Sequence, residues 1–190
     1  MPPIDPDSRA QEPLPSTGAP PLLQWLCLPY VQVPPLLLYQ ALALRSNVFV
    51  VEQQCLYLDL DGADPQALVV IGSLPTPGTP AKASTASALE HAGPVVATAR
   101  ILPAGSRFAE PSVGRVCVSL AHRGCGLGRE LMNVAIAAAR RHHPGHPLRI
   151  AAQTHLAAFY ESLGFEPASE PYLEDGIAHV DMLLADGAAG

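Results

Sequence analysis

The sequence is poor in charge and in long apolar runs, and each shortage excludes something. Of 190 residues only 11 are Lys or Arg, against 17 Asp or Glu, for a net charge of −6. No basic stripe is present, so a nucleic-acid partner, whose phosphates would demand one, is not expected. Every long apolar stretch is broken by proline or polar residues well short of the ~20 that cross a bilayer, so no membrane partner is expected either. The first twenty residues lack the apolar centre of a secretory leader, which makes a reducing cytoplasm the expected setting. The four cysteines (Cys27, Cys55, Cys117, Cys125) form no CxxC pair and have no zinc-like histidine spacing, so no metal is expected. A chain of this size builds a core and does not need disulfide staples.

What is present is a composition 48% hydrophobic and 15% charged, that of a soluble folded domain. The length suits one domain with a substantial core rather than two. Residues 1–21 are dense in proline and bury too little to offset ordering entropy, so they are expected to form a disordered extension. A second low-complexity stretch, 73–94, reads as an enlarged hairpin loop inserted between two β-like runs, 67–72 and 95–102. The folded domain is expected to span 22–185, with 186–190 a flexible tail.

Periodicity orders the rest. A first strand is expected over 22–28, then a helix opened by Pro34 and Pro35 and running to about Asn47. Ser112 to Ser119 alternates and is rich in valine, a strand signal. Gly128 to His142 is the clearest helix, ending in basic residues with Pro144 and Gly145 beyond. A strand over 148–152, a helix over 154–163 stopped by Gly164, and a last strand over 180–184 complete an α/β, α+β-like mixed sheet covered by helices.

At the junction between the valine-rich strand and that helix stands His122-Arg123-Gly124-Cys125-Gly126-Leu127-Gly128-Arg129. Glycines let the backbone approach a ligand and aim N–H groups at it, and a helix N-terminus favours an anion such as a pyrophosphate. No lysine follows, so this is not the nucleotide P-loop, and the glycine order is not that of a dinucleotide fold. Alone, the segment is equally well read as a glycine-rich turn that only starts a helix. Downstream, Phe159-Tyr160-Glu161-Ser162-Leu163-Gly164-Phe165 closes the next helix.

Together these segments resemble the GNAT superfamily of N-acetyltransferases, and more narrowly its ElaA-like branch. The branch likeness rests on Leu44-Arg45, Phe49-Val50-Val51-Glu52-Gln53, Asp61-Gly62-Ala63-Asp64, Ala99-Arg100-Ile101-Leu102, Gly114-Arg115-Val116, Ala152-Gln153 and Asp175-Gly176-Ile177-Ala178-His179, in order along the chain. The resemblance implies an acyl-CoA N-acyltransferase fold, with acetyl-CoA as co-substrate and a small-molecule or protein amine as acceptor. The acidic net charge is compatible with such an acceptor. Homodimerisation is left open. The resemblance further implies that pantetheine adds to the strand at Val116, Cys117 and Val118. It places pyrophosphate on the N–H groups of Gly124, Cys125, Gly126, Leu127, Gly128 and Arg129, in a loop begun by Arg123. Gln153 stands where many members carry asparagine. Tyr160 matches the tyrosine facing the coenzyme sulfur.

Direct transfer needs a neutral amine, a stabilised oxyanion and a protonated leaving sulfur. Three residues are the expected catalytic set: the Val118 N–H, which the resemblance implies as oxyanion donor, with Tyr160 as acid and Glu52 as base. The bland readings are a ladder hydrogen bond, a core aromatic and a helix-terminal ion pair. His155 and His179 are further candidates, His155 as a helix cap and His179 as a wall of the acceptor side. Asp61 and Asp64 read as turn-formers or a cation site, and Arg100 and Arg115 as partners of nearby acids. The rival classes are a non-catalytic acyl-CoA-binding module and a plain interaction domain.

Overall fold

The computed structural model describes residues 21–54, 57–77 and 92–187. The expected N-terminal extension therefore lies outside the described residues, except for Pro21, and the tail does so from residue 188. Among the described residues, eight strands form one mixed sheet: β1 (Gln24–Pro29), β2 (Leu68–Pro75), β3 (Ala92–Leu102), β4 (Ser112–Val118), β5 (Leu148–Gln153), β6 (Glu166–Pro167), β7 (Tyr172–Glu174) and β8 (Ile177–Leu184). Their order is β1-β2-β3-β4-β5-β8-β6, with β7 on β8. Of these described strands, β4 and β5 pair in parallel and the other pairs are antiparallel.

Successive side chains of a strand face opposite ways, and β2 uses both faces. Val70 packs into one core with α2 (Leu127–His142), whereas Val69 and Ile71 pack into another with α1 (Pro35–Arg45). The first core takes the apolar stripe of α2, including Leu127, Leu131, Met132, Ala135 and Ala139 at helical spacing. The second takes Leu37 and Ala41 from α1. A fully buried Leu, Ile or Phe contributes roughly 1.5–3 kcal/mol by leaving water, and Leu131, Ile101 and Phe165 are all at 1% exposure or less.

The elements depart from the sequence expectation in boundaries. β2 and β3 enter the expected loop from both ends, pairing Ser73 with Val95 and Pro75 with Ala92. The loop is thus shorter than 73–94, and residues 78–91 lie outside the described residues. The helix expected to reach Asn47 ends at Arg45 and continues as a π-helical turn, Ser46–Glu52, closed by Gln53 N–H donating to Val48 O. The segment 154–163 divides into a 3₁₀ turn (Thr154–Leu156) and a short helix, α3 (Ala157–Glu161). Gly164 then takes φ +92, a left-handed exit open to glycine. The last strand begins earlier, at Ile177, after two short strands that carry too few residues to show a period.

Candidate active site

The site begins with a defect in β4. Its register with β3 changes between Thr98↔Cys117 and Arg100↔Gly114, so Arg115 and Val116 stand opposite Ala99 alone. That is a β-bulge, and Arg115 takes φ +52, unusual for a residue with a side chain. On its other side β4 pairs with β5 only at Ser112↔Arg149, after which the two parallel strands part. The register gives the gap its chemistry. Ser119 N–H donates to Val96 O at 2.8 Å, so Ser119 and Val96 are a hydrogen-bonded pair and the next pair, Val118 and Ala97, is not. The N–H and C=O of Val118 therefore point away from β3, toward the gap. The carbonyl there accepts Arg123 Nε at 2.8 Å.

The gap opens into a cleft of about 420 Å³. Val116, Gln153 and Tyr160, three residues singled out from the sequence, line it together with His179. Tyr160 is 8% exposed, edge-on to Phe159 at 5.0 Å and to Phe165 at 6.0 Å. Burial pushes its phenol up to about 12, so at neutral pH it is a proton donor. It is thus both core aromatic and cleft wall. Cys117, also on the expected list, is buried behind the strand, and burial raises its thiol to about 12. It is a packing residue without thiolate character.

Beside the gap, residues 123–129 form the glycine loop and the start of α2. Gly124 (φ +79) and Gly126 (φ +93) are left-handed, so only glycine adopts the turn without strain. A Cβ added at Gly124, Gly126 or Gly128 would meet nothing within 4 Å. The protein leaves open space above this backbone. Arg129 and Glu130 N–H groups fold back onto Gly126 O, which leaves the earlier N–H groups at the open helix end. Arg129 ties the loop to α3, donating to Ser162 Oγ at 2.7 Å with its guanidinium over Phe159. An anion of pyrophosphate type fits this cradle by shape and by dipole.

Glu52 lies elsewhere than the cleft wall. Its carboxylate accepts from Arg123 Nη2 at 2.7 Å and from Asn47 Nδ2 at 3.1 Å, while Phe49 and Gln53 of the same turn line the cleft. His155 sits exposed in the 3₁₀ turn and is not a cleft residue. Asp61 and Asp64 belong to an ion-pair network rather than to a cation site. Arg45 pairs with Asp59 and Asp64, Arg100 with Asp61 and Asp64, and Arg115 with Asp59 and Asp61. The 2.8 Å approach of Arg115 Nε to Asp59 lacks hydrogen-bond alignment, so that contact is ionic only. Burial would raise the Asp61 carboxyl, but hydrogen bonds from Arg100 and the charge of Arg115 outweigh it and hold it well below the usual carboxylate range.

Sequence reasoning did not find Asp59, Tyr172, Asp181 or the Arg107–Glu174 pair at the cleft mouth. Asp59 carried a signal, since it extends the acidic spacing of Asp61 and Asp64. Tyr172 and Glu174 lie on the three-residue β7, too short to show a period, whereas Asp181 on β8 and Arg107 in the β3–β4 loop gain their partners only through the fold.

A mixed sheet with one parallel splay, a bulge at its edge and a glycine-lined helix start is the architecture of a coenzyme-dependent acyl transferase. Residues 79–185 match the sequence model of the acetyltransferase (GNAT) domain, and the chain belongs to that family of acyl-CoA-dependent N-acyltransferases. Within it the chain is similar to protein ElaA of Escherichia coli, at 36% identity over 165 residues, covering 85% of this chain and 95% of ElaA. A UPF0039 protein of Synechocystis is 39% identical over 147 residues, 77% of this chain and 85% of that protein. Among solved structures, an acyl-CoA N-acyltransferase from Pseudomonas aeruginosa superposes with TM-score 0.72 at 34% identity, covering 86% of this chain and 99% of that one. The crystal structure of E. coli ElaA gives 0.70 at 35% identity, with 85% and 99% covered.

Proposed function

We propose that the protein transfers an acetyl group from acetyl-CoA directly to a primary amine. One observation carries this reading: a buried, protonated Tyr160 lines the same cleft into which the splay opens, and the Val118 N–H points toward that splay. The acetyl donor is favoured by the description of the matching family domain as an acetyltransferase. In this reading the pantetheine arm lies along Val116 to Val118 and passes Gln153. The pyrophosphate rests on the N–H groups of Gly124 to Arg129. The thioester carbonyl then meets the Val118 N–H, which stabilises the oxyanion as the amine adds. Tyr160 gives its proton to the departing sulfur, and the raised phenol ensures that the proton is present to give.

The test has two stages. Coenzyme A should raise the melting temperature of the protein, and acetyl-CoA should release free thiol when primary amines are supplied. Thermal stabilisation without thiol release from any amine would leave a coenzyme-binding module and defeat the transfer reading. Faster release from longer acyl-CoA donors would replace the acetyl group while keeping the reaction class.

A further inference from the structure

We infer that His179 is the base that takes the proton from the acceptor amine. This inference rests on the transfer reading above. His179 sits on β8 directly across from Gln153 of β5, and both line the cleft that holds Tyr160. Its Nδ1 lies 2.9 Å from the carbonyl oxygen of Ile177. A carbonyl only accepts, so Nδ1 carries hydrogen, and in the neutral ring the lone pair is left on Nε2. The ring is also held in place. It stacks on Tyr172 at 6.2 Å, and the Tyr172 hydroxyl donates to Asp181 Oδ1 at 2.7 Å. Asp181 in turn carries Arg149 at 3.1 Å, so its charge is already matched.

Of the competing carboxylates, three are held by arginines. Asp61 is bound by Arg100 and Arg115, Glu174 by Arg107, and Glu52 by Arg123 outside the cleft wall. Asp175 is exposed at the tip of the β7–β8 hairpin, in a left-handed turn position with Gly176. A carboxylate committed to an arginine is a poor base, because protonating it breaks the pair. His179 is the half-buried cleft group whose acceptor atom is uncommitted among the described residues.

The acceptor arrives as an ammonium ion and loses one proton to Nε2, which makes His179 an imidazolium that returns the proton to solvent. The freed nitrogen lone pair forms the C–N bond at the thioester carbonyl. As the C–S bond breaks, the thiolate takes the Tyr160 proton, and the nitrogen, becoming an amide, gives up the proton that restores the phenol.

The experiment uses the full chain, acetyl-CoA and a panel of simple primary amines: an alkylamine, a diamine, an amino-acid amide and a short peptide with a free N-terminus. His179→Ala should lower turnover by about 10²- to 10⁴-fold while coenzyme A still raises the melting temperature as in wild type. Added imidazole should restore part of the loss, which a merely structural defect would not allow. Nitrogen-15 NMR of the wild-type ring should show hydrogen on Nδ1 of the neutral form. Turnover surviving in His179→Ala, loss without imidazole rescue, or hydrogen on Nε2 would each overturn the inference and leave the transfer reading standing. A wild type that releases no thiol with any amine would overturn the transfer reading itself, and this inference with it.

Discussion

Glu52 and Arg123, 71 residues apart in sequence, meet at 2.7 Å, and the same arginine holds the carbonyl of Val118 at 2.8 Å. One side chain thereby fixes the end of β4, the start of the glycine loop and the π-helical turn to one another. Glu52→Gln keeps the shape and removes the charge. The expected result is a several-fold rise in KM for acetyl-CoA with kcat little changed, since a half-exposed ion pair is worth about 1 kcal/mol or less. A fall in kcat at unchanged KM, greatest at low pH where the amine is protonated, would instead return Glu52 to the role of base.

Gly128 offers a cleaner probe of the coenzyme loop than its neighbours. Its φ is not left-handed, and a Cβ there meets no protein atom within 4 Å. Gly128→Ala should raise stability by up to about 1 kcal/mol through helix propensity. The same methyl would stand where phosphate must approach, so coenzyme A affinity should fall by about 10-fold. Thermal unfolding and calorimetric titration of one variant would then move in opposite directions. Unchanged affinity would remove the pyrophosphate from this loop.

Tyr160→Phe deletes one hydroxyl and keeps the ring packed on Phe159 and Phe165. Turnover should fall by about 10²- to 10⁴-fold with coenzyme affinity unchanged. A stability signature accompanies it. The folded phenol is raised to about 12 by burial, above the unfolded value of about 10. Between these values the unfolded chain sheds the proton and the folded chain keeps it, so stability falls as pH rises. Tyr160→Phe should show a shallower decline than wild type from about pH 10 to 12 in urea titrations. Identical slopes would mean that the phenol is not buried in solution.

Asp59 is 4% exposed and faces both Arg45 and Arg115. Asp59→Asn leaves buried guanidinium charge short of a partner, which typically costs about 3–5 kcal/mol. The midpoint of denaturant unfolding should fall accordingly. Because Arg115 sits in the β4 bulge, KM for acetyl-CoA should rise as well. A loss of stability alone would mean that the bulge holds its shape without the pair.

The parts legible in the sequence were those with a period or a dense motif. The face of α2 repeats at helical spacing, and the alternating glycines mark its start, so the helix and the loop were both readable. Arg100 and Arg115 were read as partners of nearby acids, and the network bears that out. For Glu52 the alternative of an ion pair at a helix end was legible, and the Arg123 contact matches it, but the turn that carries it was not. An α-helix read to about Asn47 gives no hint that a π-helical turn follows it, turning Phe49 and Gln53 to the cleft and Glu52 toward Arg123. Nor was the bulge legible, because it is a matter of register between β3 and β4, and the aspartates that Arg115 meets stand 54 and 56 positions away. Strands of two or three residues, such as β6 and β7, have too little pattern to declare themselves, although β7 supplies the ring on which His179 stacks.

The pairing of Pro75 with Ala92 brings the two ends of the intervening chain side by side at the rim of the sheet. Whatever lies between them leaves and returns at one point, behind a hairpin already closed by the ladder below. Length there can change without shifting any residue of β2 between the two cores, whereas one residue gained inside β2 would exchange Val70 for Val69 or Ile71 and put each against the wrong helix. The rim is thus a natural port for splicing in foreign sequence, such as an affinity peptide or a fluorescent reporter, and the strand beneath it is closed to such grafts.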